Sequence, residues 1–233
     1  MKKVAILQSN YIPWKGYFDI IAAVDEFIVY DDVQYTKNDW RNRNKIKVNG
    51  QVQWLTIPVR HSVSDKICDV KVSFDNWHVK HWKTLQINYG RAAAFRETAE
   101  FVEELYRSPR SLYLSEINVD FIRSINRFLG IDTMMTQSSD YHCSGERSER
   151  LVALCKAAGA DCYLSGPAAK SYLDVSLFEK EKITVEWMDY SGYPEYPQME
   201  GPFEHGVSIL DLIFNTGSSA GSFMKFVKPI AHS

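Results

Sequence analysis

The sequence predicts an α/β domain: a mostly parallel sheet with helices on both faces, carrying an inserted β-hairpin and a helical region. Three observations carry this. Short apolar runs, Val4 to Leu7, Phe27 to Tyr30 and Cys162 to Leu164, alternate with helical patterns at both ends of the chain. Such runs read as strands buried on both faces. A short helical crossover separates the first two runs, the connection that joins parallel neighbours. Residues about 40–130 break the pattern with a polar–apolar alternation around Asn49-Gly50, followed by a long helical stretch, which reads as an insertion.

The first strand stops at Gln8. The chain then crosses a loop containing Pro13 and Gly16 and enters a helix at Phe18, whose apolar face is Phe18, Ile20, Ile21 and Val24. The second strand ends in Asp31-Asp32. Lys45-Ile46-Lys47-Val48 alternates, and Val52, Trp54, Thr56 and Ile57 answer it across Asn49-Gly50, a strong hairpin signal. Ile67, Val70, Val72 and Phe74 predict one more strand over 67–74. Helix follows from about 77 to 128, with Phe101, Val102 and Leu105 on one face and Ile117, Phe121, Ile125 and Phe128 on another. Gly130 is placed to end that stretch in the left-handed region. Leu151, Leu154, Cys155 and Ala158 line a helix closed by Gly159. The strand at 162–164 breaks at Ser165-Gly166-Pro167, a helix runs through Tyr172, Ile183–Trp187 is a strand, and Ser208–Phe214 is a last helix. The whole of 1–233 is expected to form one domain.

Composition bounds the function. A chain of 233 residues with 45% hydrophobic and 24% charged residues can bury a large core. A net charge of −2 gives no case for a protein dominated by nucleic-acid binding. Lys2-Lys3 precede only four apolar residues, too few for a secretory signal, and no run approaches the ~20 apolar residues of a membrane span. A cytoplasmic protein without membrane insertion is expected. Cys68, Cys143, Cys155 and Cys162 form no CxxC pair and no zinc spacing, so free thiols and no metal centre are expected.

Ligands of parallel sheets bind beyond the carboxyl ends of the strands. The first predicted end offers Gln8, Asn10 and Tyr11, the second Asp31 and Asp32, the third Ser165 and Gly166 with Lys170 close behind. A helix start at Ser165-Gly166-Pro167 with Lys170 reads as a phosphate cradle, or as a plain turn and N-cap. Asp31 and Asp32 read as ligand contacts or as turn acids. In Trp40-Arg41-Asn42-Arg43-Asn44, Arg43 offers a planar fork to phosphate and Asn44 an amide to hydroxyls. His81, three residues after His78, and His205 are rival bases, with Asp211 in reach of His205 as an orienting carboxylate. No GxSxG, HExxH, P-loop or full dinucleotide fingerprint is present. Trp14-Lys15-Gly16-Tyr17 stands where class I nucleotidyltransferases carry a histidine–glycine turn, and both histidines are absent.

At Leu7 to Phe18, Asp31-Asp32, Trp40 with Asn42 to Ile46, Trp54 to Val59, Asn88-Tyr89, Leu164-Ser165-Gly166, Tyr172-Leu173 and Ser208 to Asn215, the chain resembles the WbqC-like family of bacterial proteins. Ser9 replaces the usual proline of the first block. The resemblance implies a setting in surface-polysaccharide synthesis, notably of lipopolysaccharide O-antigen, where some members are labelled glycine or aminoacyl transferases acting on amino sugars. The function it implies here is acyl or aminoacyl transfer, glycyl included, to the amine of a nucleotide-linked amino sugar. The donor would be an acyl adenylate, an acyl-CoA or an aminoacyl-tRNA, with no tightly bound cofactor. Arg41, Arg43, Lys45 and Lys47 form the small basic patch that a tRNA donor requires. His81 or His205 would be the base, Arg43 and Lys170 would bind phosphate, and Gln8, Asn10, Tyr11 and Asn44 would hold sugar or donor. Two other readings stand beside it: a class I-like nucleotidyl or phosphoryl transferase, and a non-catalytic nucleotide-sugar-binding partner of a glycosyltransferase.

Overall fold

The structure is a computed structural model and describes residues 1–74, 76–107, 109 and 111–227. In chain order it contains β1 (Lys3–Leu7), α1 (Lys15–Ala22), β2 (Glu26–Val29), β3 (Arg43–Val48), β4 (Gln51–Thr56), β5 (Val59–Arg60), β6 (Lys71–Val72), α2 (Trp77–Tyr89), α3 (Phe95–Arg107) and α4 (Leu114–Leu129). Then come β7 (Met134–Gln137), α5 (Arg147–Ala157), β8 (Cys162–Ser165), α6 (Val175–Lys180), β9 (Thr184–Trp187) and α7 (Ile209–Thr216).

Five strands form one parallel sheet in the order β7-β2-β1-β8-β9. From β1 the chain moves outward through β2 to β7, then crosses to the other side for β8 and β9. The order therefore reverses between β1 and β8, the place where such sheets open a crevice. Successive side chains of a strand point to opposite faces, and both faces are covered. Ala5, Phe27, Val29 and Leu164 enter a large core with residues of α1, α2, α4 and α7. Val4, Ile6, Ile28 and Tyr163 enter a second core with Leu154 and Cys155 of α5 and Phe178 of α6. The inserted hairpin and helices pack onto the first face: Ile46, Leu55, Ile57, Trp77 and Leu85 belong to the same cluster as the sheet.

The β3–β4 turn has Asn49 and Gly50 at φ 49° and 73°, the doubly left-handed turn that matches strand twist. Gly130 ends α4 at φ 70°. Several expectations are corrected. Helix α1 begins one turn before Phe18, at Lys15, a start the apolar pattern misses because Lys15 and Gly16 carry no apolar side chain. The strand expected over 67–74 is a 3-10 turn at Ile67–Asp69 followed by the two-residue β6. Ile67 and Val70 are both fully buried, and a spacing of three is that of a 3-10 turn, not of a strand. The helix expected after Gly166 is a five-residue 3-10 segment, Pro167–Ser171. Edge strand β7 reads Met-Met-Thr-Gln and has no apolar run to announce it. The four cysteines are free, two of them buried. Among the described residues, no helix is long and apolar enough to cross a membrane.

Candidate functional site

The loop leaving β1 is anchored at several points. Ser9 N–H donates to Asp31 Oδ1 at 2.8 Å, and Ser115 Oγ donates to Oδ2 of the same carboxylate. Asn118 Nδ2 reaches Ser9 Oγ at 3.2 Å and Arg41 O at 2.8 Å. Tyr11 N–H donates to Trp40 O at 3.0 Å, and Asn44 Nδ2 donates to Tyr11 O at 3.1 Å. Ile12, buried and β-branched, is held at φ 36°, a conformation that persists only where its surroundings over-determine it. Asp31, Asn44 and the backbone of Tyr11 thus hold the loop in shape. Gln8 and Asn10 are its partly exposed members, and Asn10 Oδ1 is buried without a hydrogen-bond partner among the described residues. Asp32 is tied to Arg150, and it accepts from Ser138 Oγ at 2.5 Å, so it closes the β2–β7 edge.

The two histidines occupy different worlds. His81 is 7% exposed. Its Nε2 lies 3.1 Å from Thr56 O and its Nδ1 2.8 Å from Tyr11 OH. A carbonyl only accepts, so Nε2 carries the proton, Nδ1 accepts from Tyr11, and Tyr11 OH accepts in turn from Tyr106 OH at 2.6 Å. Burial pushes the His81 pKa down to about 4. His205 lies on the partly exposed approach to α7, and its Nδ1 is buried with no hydrogen-bond partner among the described residues. Burial and then the charge of Lys15 hold its pKa below the ordinary value.

Lys15 opens α1 directly beyond the β1 loop and is 2% exposed. Its Nζ donates to Pro194 O at 3.1 Å and lies 4.8 Å from the Tyr193 ring, 5.3 Å from Tyr196 and 6.0 Å from Phe203. Burial lowers its pKa to about 8; cation–π contact with the rings supports the charged form. These rings belong to residues 188–207, a stretch without helix or strand, of a length that usually marks function. It forms a strap across the carboxyl-end edge of the sheet. Tyr190 packs on Trp14 with ring centroids 5.0 Å apart, and its hydroxyl would lie 3.9 Å from a Cβ on Gly166 at the end of β8. The strap therefore spans both sides of the β1–β8 switch point.

Asp211 is fully buried and fixes the strap from below. It accepts from Tyr89 OH at 2.9 Å, Tyr196 OH at 2.7 Å and Gln198 Nε2 at 2.7 Å. Gln198 exchanges hydrogen bonds with the backbone of Glu204, beside His205. Burial raises the Asp211 pKa despite these donors. Asp211 has no hydrogen bond to the imidazole, so it positions the segment that carries His205. Ser165 ends β8 and Gly166 follows it, but a 3-10 segment replaces the α-helix expected to focus N–H groups on a phosphate. Lys170 instead lies over Trp187 at 5.6 Å. Arg43 stands on the hairpin, its guanidinium 4.2 Å over Trp54. A cavity of about 580 Å³ between α3 and α4, floored by Phe101, Ile117, Phe121 and Phe128, includes none of the residues predicted for the site.

Sequence reasoning missed Lys15 and the strap. The available signal was aromatic density without periodicity: Tyr190, Tyr193, Tyr196 and Phe203 crowd a segment with no helix or strand pattern.

No solved structure matches the chain. A relative from Mycobacterium tuberculosis, named Uncharacterized protein Rv1507c, is 46% identical over 230 residues, covering 98% of this chain and 100% of its own length. The WbqC-like protein family model matches residues 8–223, which take in the β1 loop, the hairpin, the strap and α7. The chain belongs to the WbqC-like protein family.

Proposed function

We propose that the protein transfers an acyl or aminoacyl group to the amine of a nucleotide-linked amino sugar, within surface-polysaccharide synthesis. One observation carries this reading: the partly exposed His205 packs on Phe203 with ring centroids 4.6 Å apart, and the same Phe203 ring lies 6.0 Å from the Lys15 ammonium that opens α1 beyond the β1 loop. Amide formation needs a neutral base to take a proton from the substrate ammonium. Burial first, and then the Lys15 charge, disfavours the imidazolium, which favours the neutral, proton-accepting form of His205. The freed amine attacks the acyl carbon, the bond from that carbon to the donor's leaving group breaks, the proton on His205 passes to the leaving group, and the second proton that the nitrogen sheds in becoming an amide goes to solvent. The Gln8 and Asn10 amides supply donors for the developing oxyanion and the sugar hydroxyls. Arg43 supplies a fork to phosphate, and Lys170 serves only as a point charge. His81, enclosed by Tyr11 and Thr56, is assigned to the core rather than to the reaction.

The test is a search for amide product by mass spectrometry. The acceptor is a nucleotide-linked 4-amino sugar, offered with glycine and ATP, acetyl-CoA or glycyl-tRNA. His205→Gln should lower turnover by ~10²-fold or more, the range of general base catalysis, with its circular dichroism unchanged. Normal turnover in His205→Gln removes the base assignment. No amide from any donor removes the transferase reading, and nucleotide-sugar binding without turnover then favours a scaffolding role.

A further inference from the structure

The outer face of the hairpin carries a feature of which the proposed reaction uses only Arg43. Trp40 and Trp54 are 38% and 44% exposed, with ring centroids 5.1 Å apart and planes inclined at 50°. Two cations stand on them. The Arg43 guanidinium lies 4.2 Å from the Trp54 centroid, and Lys45 Nζ lies 5.7 Å from Trp54 and 5.9 Å from Trp40. The strand register explains the grouping. Lys45 is directly opposite Trp54 in the β3–β4 ladder, and Arg43 is the next residue on the same face. Lys47 continues that face, but Gln198 and Pro202 consume its ammonium, and Arg41 pairs with Asp39 at 3.2 Å. Of the basic patch read from the sequence, Arg43 and Lys45 are therefore left on the tryptophans.

The platform is built. Asp39 Oδ1 accepts from Trp40 N–H at 2.7 Å, and the Arg43 fork donates to Asn38 O. Arg43 Nε is buried with no acceptor among the described residues. The platform also adjoins the crevice: Trp40 O receives the Tyr11 N–H of the β1 loop, and Lys45 O receives the Ser208 N–H at the start of α7. Two half-exposed indoles offer flat π surface, and the adjoining guanidinium and ammonium offer charge to an anion joined to a flat ring. That pairing is the chemistry of a nucleobase with its phosphate.

We infer that Trp40, Trp54, Arg43 and Lys45 form a docking site for a nucleobase and its attached phosphate, beside the reaction crevice. The inference deepens the transferase reading and rests on it for the choice between two sources. One is the nucleoside diphosphate of the sugar acceptor. The other is the single-stranded 3′ end of an acyl-tRNA donor.

Binding is measured by calorimetry on the intact protein with UDP, dTDP, uridine and the trinucleotide CCA, with no donor and no turnover. The diphosphates or CCA should bind, and uridine should bind more weakly for lack of a phosphate. Trp54→Ala should weaken binding about tenfold or more, the scale of losing one base–aromatic stack, while Trp54→Phe should retain most of it. Arg43→Gln and Lys45→Gln should reduce affinity and flatten its salt dependence. Preference for UDP or dTDP assigns the platform to the nucleotide sugar; preference for CCA assigns it to the acyl donor. Unchanged binding by the Trp40→Ala/Trp54→Ala double variant, or no binding of either probe to the parent protein, overturns the inference. Binding that is lost in Trp54→Ala, with no amide formed under any donor, upholds the platform and sinks the transferase. Amide formation indifferent to Trp54→Ala does the reverse.

Discussion

A histidine's role is set by what its two nitrogens touch, and His81 and His205 show how little of that a sequence states. On α2, His81 has polar neighbours in sequence, Lys83, Gln86 and Asn88, which make it an attractive base. In three dimensions Thr56, Tyr11 and Trp77 enclose it. Its pKa falls from the ordinary 6.5 to about 4, so the unfolded chain binds a proton between those values and the folded chain does not. Stability from this residue is then complete above pH 6.5 and drains away as the pH falls toward 4, by on the order of 3 kcal/mol. In urea unfolding at pH 7 and pH 4.5, His81→Gln should lose less stability on acidification than the parent protein. Equal losses in both would mean that His81 is protonated in the fold. The same comparison on His205→Gln should show little difference, since His205 is only partly enclosed.

At the scale of elements, the legible parts were those whose signal is local. The apolar runs of β1, β2 and β8 and the Asn49-Gly50 turn name themselves, because burial on two faces and a left-handed turn each demand particular residues. Strand β7 did not, since an edge strand's order comes from its neighbour β2. The strap is illegible for the same reason: its shape is imposed by Asp211, Lys15 and the hairpin tip rather than by a period of its own. Its seat on the hairpin is a backbone-to-backbone contact. A Cβ on Gly201, at φ 77°, would stand 2.5 Å from Gly50 O, whereas a Cβ on Gly192, at φ 71°, meets nothing within 4 Å. Both positions charge an L-residue ~1–2 kcal/mol for the left-handed backbone. Gly201→Ala should cost visibly more than Gly192→Ala in thermal melts, about 3 kcal/mol against about 1 kcal/mol, and should speed proteolytic nicking within 188–207. Equal melts and equal nicking would show that the strap does not sit on the hairpin.

For the whole molecule, the question is whether residues about 40–130 are a passenger on the sheet or part of its core. A separable insertion would carry its own cluster and meet the sheet through a thin polar contact. Here Ile46, Leu55, Ile57, Trp77, Leu85, Ile117 and Phe121 share one cluster with Ala5, Phe27, Val29 and Leu164. The β1 loop is pinned from that side as well, by Asn44, Ser115 and Asn118. Removing the insertion would expose one face of a parallel sheet, which such sheets do not tolerate. Unfolding should therefore be one transition. The near-ultraviolet dichroism of the tryptophans, four of them in the insertion (Trp40, Trp54, Trp77 and Trp82), should be lost at the same urea concentration as the far-ultraviolet signal of the helices. If the near-ultraviolet signal is lost first, the insertion is a separate folding unit. The crevice would then be assembled between two bodies, and the fixed placement of the Trp40–Trp54 platform beside it would no longer follow from the core.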